Sequence, residues 1–204
     1  SLKKYCTKRI ARLYPELWIG VLVNAIIILI VYGSRIEAVP FIAHIFTQST
    51  VLQFWTPDFL RDYGCGTPNG ALWTIGVMVQ CYAVFYLVFK LLRKRKWNVQ
   101  LTAFVLAVGC NFLPHLTRRL LPETLAKLFE QTFVPYFWMF LAGGLMAAYF
   151  EKMIGFLKKW WFLFLAVSVA FGVSGLEQRI GAYELMKSLT LGLAVVGFAY
   201  RYPK

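Results

Sequence analysis

Charge and metal-binding residue types are scarce in this 204-residue sequence. Only 15% of its residues are charged, and it has two histidines and four cysteines. Cys6, Cys65, Cys81 and Cys110 include no C-x-x-C pair, and two histidines supply no set of ligand spacings. Neither a zinc site nor a disulfide framework is expected, and no metal ligand is assigned. No secretory leader is expected either: Ser1 is followed at once by a basic amphipathic segment, so the start is expected to be a cut inside a longer protein. Apolar surface is what the sequence has in excess. It is 59% hydrophobic and 18% aromatic, against roughly 45–50% apolar residues in soluble domains.

A water-soluble core does not suit such a composition, and the useful count is how many runs of about 20 apolar residues fit a bilayer core of roughly 30 Å. Six runs appear, near 16–33, 71–92, 99–113, 131–149, 160–176 and 186–200. The third is short. The fold expected is an all-α polytopic bundle forming one transmembrane domain over 1–204, with a long outer loop at 34–70. No span carries a charged residue in its middle, only neutral polar groups such as Asn24, Thr74, Gln80, Thr102, Asn111 and Ser168. Ion-coupled transport usually needs ionisable groups at that depth, so a solute transporter is disfavoured.

The formal charge of +13 is distributed unevenly. Fifteen basic residues flank the spans on one side, in the stretches 3–12, 90–96, 152–159 and 201–204, against Glu16 and Glu151 alone. The other side balances seven basic residues with seven acids. Nucleic-acid binding needs basic residues grouped on a soluble face. Here the asymmetry instead sets orientation, placing both ends in the cytoplasm, where the excess meets anionic lipid headgroups. Tyr14, Trp18, Trp97 and Trp160 fall near expected inner boundaries, and Tyr32, Trp73 and Trp138 near outer ones, as rings that anchor in the headgroup layer do. The small residues Ala142, Gly143, Gly144, Ala147 and Ala148 mark a helix-packing face.

Two stretches carry candidate chemistry. In Lys8-Arg9-Ile10-Ala11-Arg12-Leu13-Tyr14-Pro15 a helix puts Arg9 and Arg12 on one face at the inner surface. Two guanidiniums so placed can grip phosphate through bidentate hydrogen bonds, although basic anchors are the commoner role there. The second stretch runs from Phe54 through Pro68-Asn69-Gly70-Ala71-Leu72-Trp73-Thr74-Ile75. Its aromatic rings suit sugars, and its Asp and Asn side chains suit hydroxyls, while an interfacial helix over about 40–53 is expected to rest its apolar side on the membrane. His44 and His115 have no sequence neighbour that would orient a general base and read as headgroup-level polar residues.

Arg9-x-x-Arg12-x-Tyr14-Pro15 entering one span, followed by Pro68-Asn69-Gly70-Ala71-Leu72-Trp73-Thr74-Ile75 and then Gln80-x-Tyr82, resembles the membrane-bound acyltransferase 3 family. The likeness extends more loosely over Phe137 to Ala148. It implies a protein of about ten spans that takes an acyl group, usually acetyl, from cytoplasmic acetyl-CoA and passes it to a hydroxyl of a glycan or lipid-linked sugar outside. The setting is a bacterial inner membrane, with acyl-CoA as co-substrate and no tightly bound cofactor. Arg9 and Arg12 match the family's donor-side arginines. Asn69, Trp73, Gln80 and Tyr82 are the pocket candidates, on the face opposite the arginines. The family's catalytic histidine lies on a helix that would precede Ser1, so the isolated chain is expected to be inactive. Met78 stands where the family tends to place a glutamate. That departure sustains an alternative: a catalytically silent relative that assists assembly or translocation of surface polysaccharide.

Overall fold

The computed structural model describes residues 2–50, 53, 55–60, 70–179, 181–182 and 185–202. Among them every regular element is helical: α1 (Leu2–Tyr32), α2 (Ala38–Gln48), α3 (Trp73–Leu92), α4 (Trp97–Cys110), α5 (Leu113–Leu120), α6 (Glu123–Glu130), α7 (Phe137–Ala148), α8 (Phe150–Ser174), α9 (Leu176–Arg179) and α10 (Leu185–Arg201), with short 3-10 turns between some of them. Lys3–Arg35, Trp73–Leu92, Trp97–Leu120 and Phe150–Ser174 are long and apolar enough to cross a bilayer. Their surfaces are inverted relative to a soluble protein. Ile19, Leu22 and Ile30 on α1 and Phe156, Val169 and Val173 on α8 are exposed, whereas Asn24, Gln100, Asn111, Ser168 and Thr190 are buried. Lipid accepts the apolar surface and drives polar groups to each other, so the chain is an all-helical polytopic membrane protein.

Two of the six expected spans, 131–149 and 99–113, take a different form, and the sixth forms as expected. Of 131–149 only the 12 residues of α7 are helical, a length of about 18 Å. Residues 131–136 are turns ahead of it. Helix α10 has 17 residues, or about 25 Å. The expected third span at 99–113 breaks at Asn111 and resumes as α5. Asn111 is fully buried, and its side-chain amide donates to the Pro135 carbonyl at 3.1 Å.

Two compact units divide the chain, residues 1–86 with 131–133, and 87–130 with 134–204. In the first, α1 continues through Pro15, whose ring removes one helical hydrogen bond. The first part of α3 lies antiparallel to α1. Tyr5 meets Tyr86 at 5.2 Å between ring centroids, the Arg9 guanidinium lies 5.1 Å from the Tyr82 ring, and a methyl on Gly20 would come 3.1 Å from Leu72. Leu17, Val21 and Leu72 form the core of this pairing, with Tyr14, Ile45 and Ile75 packed around it. At the far end of α1, Tyr32 meets Phe59. Helix α3 therefore starts level with Gly20, about 18 Å short of the Tyr32 end of α1. Trp73, expected at the outer boundary with Tyr32, is level with the Gly20 region of α1 and not with Tyr32.

Helix α2 ends earlier than the expected 40–53. It buries His44 and Gln48 and exposes Val39, Ile42 and Phe46 along the opposite side.

In the second unit α8 and α10 form a tight antiparallel pair. Ser168 Oγ donates to the Lys187 carbonyl at 2.9 Å, and Trp161 packs on Phe198 at 5.0 Å. Glu177, 5% exposed, accepts from the backbone N–H groups of Met186 and Lys187 and so caps α10. Gly175 ends α8 at φ 61°, a left-handed conformation that glycine adopts without a Cβ clash. Closest approach is at Gly197. A Cβ there would meet the Leu157 carbonyl oxygen at 2.5 Å and Trp161 Cβ at 2.8 Å, whereas one at Gly192 meets nothing within 4 Å. Gly197→Ala is thus expected to destabilise the protein by about 1–3 kcal/mol through overpacking. Gly192→Ala is expected to be neutral or slightly stabilising. Thermal unfolding of the two variants in detergent checks the contrast.

Candidate functional site

The first three turns of α1 carry five basic residues and no acid. Helical spacing puts Arg9 and Arg12 on one side, as expected, but their surroundings differ. Arg12 is exposed, while Arg9 is half-buried. The Arg9 guanidinium lies over two rings, with its carbon 5.4 Å from the Tyr5 centroid and 5.1 Å from that of Tyr82. Tyr5 sits one turn earlier on α1, and the rings of Tyr5 and Tyr82 meet edge to face at 6.4 Å. Such contacts attract the cation to the rings and do not neutralise its charge, and the Tyr5 hydroxyl also accepts a hydrogen bond from Arg9. Among the described residues no carboxylate pairs with either arginine.

The pocket candidates do not form one cluster. On α3, Gln80 and Tyr82 are two residues apart and so point about 200° apart around the helix. Tyr82 faces α1, at the level of the arginines, so this part of the second motif is not on the opposite face from the first. Gln80 turns toward the stretch 131–133. Its Nε2 donates to the Gln131 carbonyl at 3.2 Å, and its Oε1 accepts from the Phe133 N–H at 3.1 Å. Both ends of this amide are engaged with irregular backbone, which needs such partners in an apolar setting. Trp73 opens α3, two turns before Gln80 and on the same side, and is partly buried. Asn69 lies outside the described residues. Met78, half-buried, is one turn before Tyr82 on the side that faces α1.

Tyr5 was not singled out from the sequence. The available signal was its i,i+4 spacing to Arg9, one of the pairings by which helical side chains meet.

His44 is 2% exposed, and neither ring nitrogen has a hydrogen bond among the described residues. Burial lowers its pKa below 6.5, an effect that the nearby Trp55 backbone partly offsets. His115 is exposed, with its ring against the backbone of Gly181. The small residues of α7 divide: Gly144 is buried, while Ala147 and Ala148 border an open groove of about 480 Å³ with Tyr149, Lys152 and Tyr200.

Comparison with known proteins adds two positive findings. The model of an acyltransferase domain family, acyltransferase 3, matches residues 1–200. Nodulation protein 10 of Rhizobium leguminosarum bv. viciae is 23% identical over 186 residues, which cover 86% of this chain and 50% of that relative. The chain thus spans about half the length of the curated relative it matches. No solved structure matches.

Two outcomes follow from this geometry. Gln80→Leu is expected to cost about 1–3 kcal/mol, because it leaves the Gln131 carbonyl and Phe133 N–H without this partner; denaturation in detergent measures the loss. For His44, protonation is disfavoured in the folded state, so the unfolded chain takes up a proton first as pH falls through about 6.5. Stability is therefore unaffected by His44 above that pH and declines below it. The melting temperature between pH 7.5 and 5 should fall less steeply in His44→Gln than in the unmodified protein.

Proposed function

The chain belongs to the acyltransferase 3 family, and on that premise we propose that it is the donor-side half of a membrane O-acyltransferase that moves an acyl group, usually acetyl, from cytoplasmic acyl-CoA to a hydroxyl of an extracytoplasmic glycan. The observation that carries this reading is the arginine pair. Arg9 and Arg12 share one side of α1 and have no carboxylate partner among the described residues. Charge uncompensated within the protein is available to an anion, and paired guanidiniums suit phosphate better than lysines because of their fixed fork of donors. Coenzyme A presents phosphates and carries its acyl group on a thioester. In the transfer, the acceptor oxygen bonds to the acyl carbon, the carbon–sulfur bond breaks, the thiolate leaves, and the hydroxyl proton passes to a base. This reading gives Arg9 and Arg12 the donor, assigns no base among the described residues, and places the protein in a bacterial inner membrane with both ends of this chain cytoplasmic.

Met78 supports a second reading, a silent relative that assists polysaccharide assembly or translocation. It occupies the side of α3 that faces α1, where the family resemblance leads one to expect a carboxylate, and a thioether neither gives nor takes a proton.

One experiment separates the two readings. Base-labile acetate on surface glycans is measured in cells lacking the intact gene, complemented with the gene or its Arg12→Ala variant. The enzyme reading expects acetate to return with the gene and to return about 10- to 100-fold more slowly with the variant, as loss of a charge-assisted contact implies. Acetate and other acyl groups unchanged by the deletion favour the silent relative.

A further inference from the structure

We infer that Tyr82, together with Tyr5, is a positioning residue that holds Arg9 with its N–H edge turned toward an incoming donor phosphate. This rests on the donor-binding role of Arg9 and Arg12 proposed above and adds what fixes one of them in place. The two rings come from different helices, Tyr5 from α1 and Tyr82 from α3, and the Arg9 guanidinium lies within 5.4 Å of both centroids. Tyr5 is itself backed by Tyr86, at 5.2 Å. A long side chain at a helix surface ordinarily samples many rotamers and loses that freedom on binding. Ring contacts and a hydrogen bond from Arg9 to the Tyr5 hydroxyl remove part of that freedom beforehand, and the remaining guanidinium N–H groups are left for a ligand, so the cost of ordering falls before the ligand arrives. A carboxylate in the same place would also order Arg9, but it would compete with phosphate for the same N–H groups. Arg12, exposed three residues on, has no ring over it among the described residues. The pair therefore divides into one arginine held in advance and one that closes on the ligand.

A simple tether between α1 and α3 would also place a tyrosine on an arginine. The two accounts differ in what aromaticity at position 82 does for binding. The test is a calorimetric titration of coenzyme A into the purified full chain in detergent, for the unmodified protein, Arg9→Ala, Arg12→Ala, Tyr82→Phe, Tyr82→Leu and the double variant Arg9→Ala with Tyr82→Leu. Positioning predicts that Tyr82→Phe binds within about twofold of the unmodified protein, because the ring face is kept. Tyr82→Leu weakens binding about 3- to 30-fold, and the double variant loses no more than Arg9→Ala alone. A Tyr82→Leu variant that melts lower yet binds coenzyme A normally, while Arg9→Ala binds weakly, overturns the positioning role and leaves the donor reading standing. If the unmodified protein does not bind coenzyme A, or neither arginine variant changes the affinity, the donor reading fails and this inference with it. Should Tyr82→Leu not fold, Tyr5→Phe and Tyr5→Leu test the clamp from its other ring. Weaker binding by the leucine variant than by the phenylalanine variant supports the inference, and equal affinities overturn it.

Discussion

Everything in this structure answers to one constraint: hydrocarbon offers no hydrogen bonds, so wherever a helix stops inside the apolar region the exposed backbone groups need a partner from the protein. The partners are side-chain amides and one carboxylate. Asn111 reaches the Pro135 carbonyl ahead of α7, and Gln80 binds the backbone on both sides of Thr132. Gln100 donates to the Leu92 and Arg95 carbonyls and accepts from the Tyr149 hydroxyl, so it closes the end of α3. Glu177 does the same for the start of α10. In the sequence Asn111 and Gln80 read as isolated neutral polar positions within spans, and Glu177 as one of the acids between spans. Their shared task is to make broken helices tolerable, and the shortness of α7 depends on it.

The sequence conveyed fold class well because the signal behind it, long apolar runs flanked by basic residues, is local and large. Helix α1 and the pair α8 and α10 occur where hydropathy placed spans. The interruptions at 111–112 and 131–136 were not read from hydropathy, because an apolar run is indifferent to whether its backbone stays helical; the local marks they do have are Pro114 and Pro135. Pro114 has no N–H for the Cys110 carbonyl and its ring crowds that carbonyl, so the helix ends at Cys110, while the bond from Asn111 to the Pro135 carbonyl that accompanies the break is long-range, and no window of twenty residues contains both its ends.

The candidate site was legible in part. The shared side of Arg9 and Arg12 follows from helical spacing alone. The placement of Tyr82 beside Arg9 does not, because it depends on the stagger between α1 and α3, which is set by the contacts of Gly20 and Leu17 with Leu72. Grouping Gln80 with Tyr82 as one pocket treated neighbours in sequence as neighbours in space. On a helix, residues two apart face nearly opposite ways, and the structure engages one with a turn and the other with an arginine.

The stagger also has an electrical side. Because α3 begins level with Gly20, its first peptide N–H groups, the positive end of the aligned backbone dipoles, sit deep beside the middle of α1. The protein thus carries about half a positive charge beside the stretch of α1, residues 17–31, that has no ionisable side chain. That charge belongs to the backbone, so it does not titrate, and no single side-chain substitution removes it.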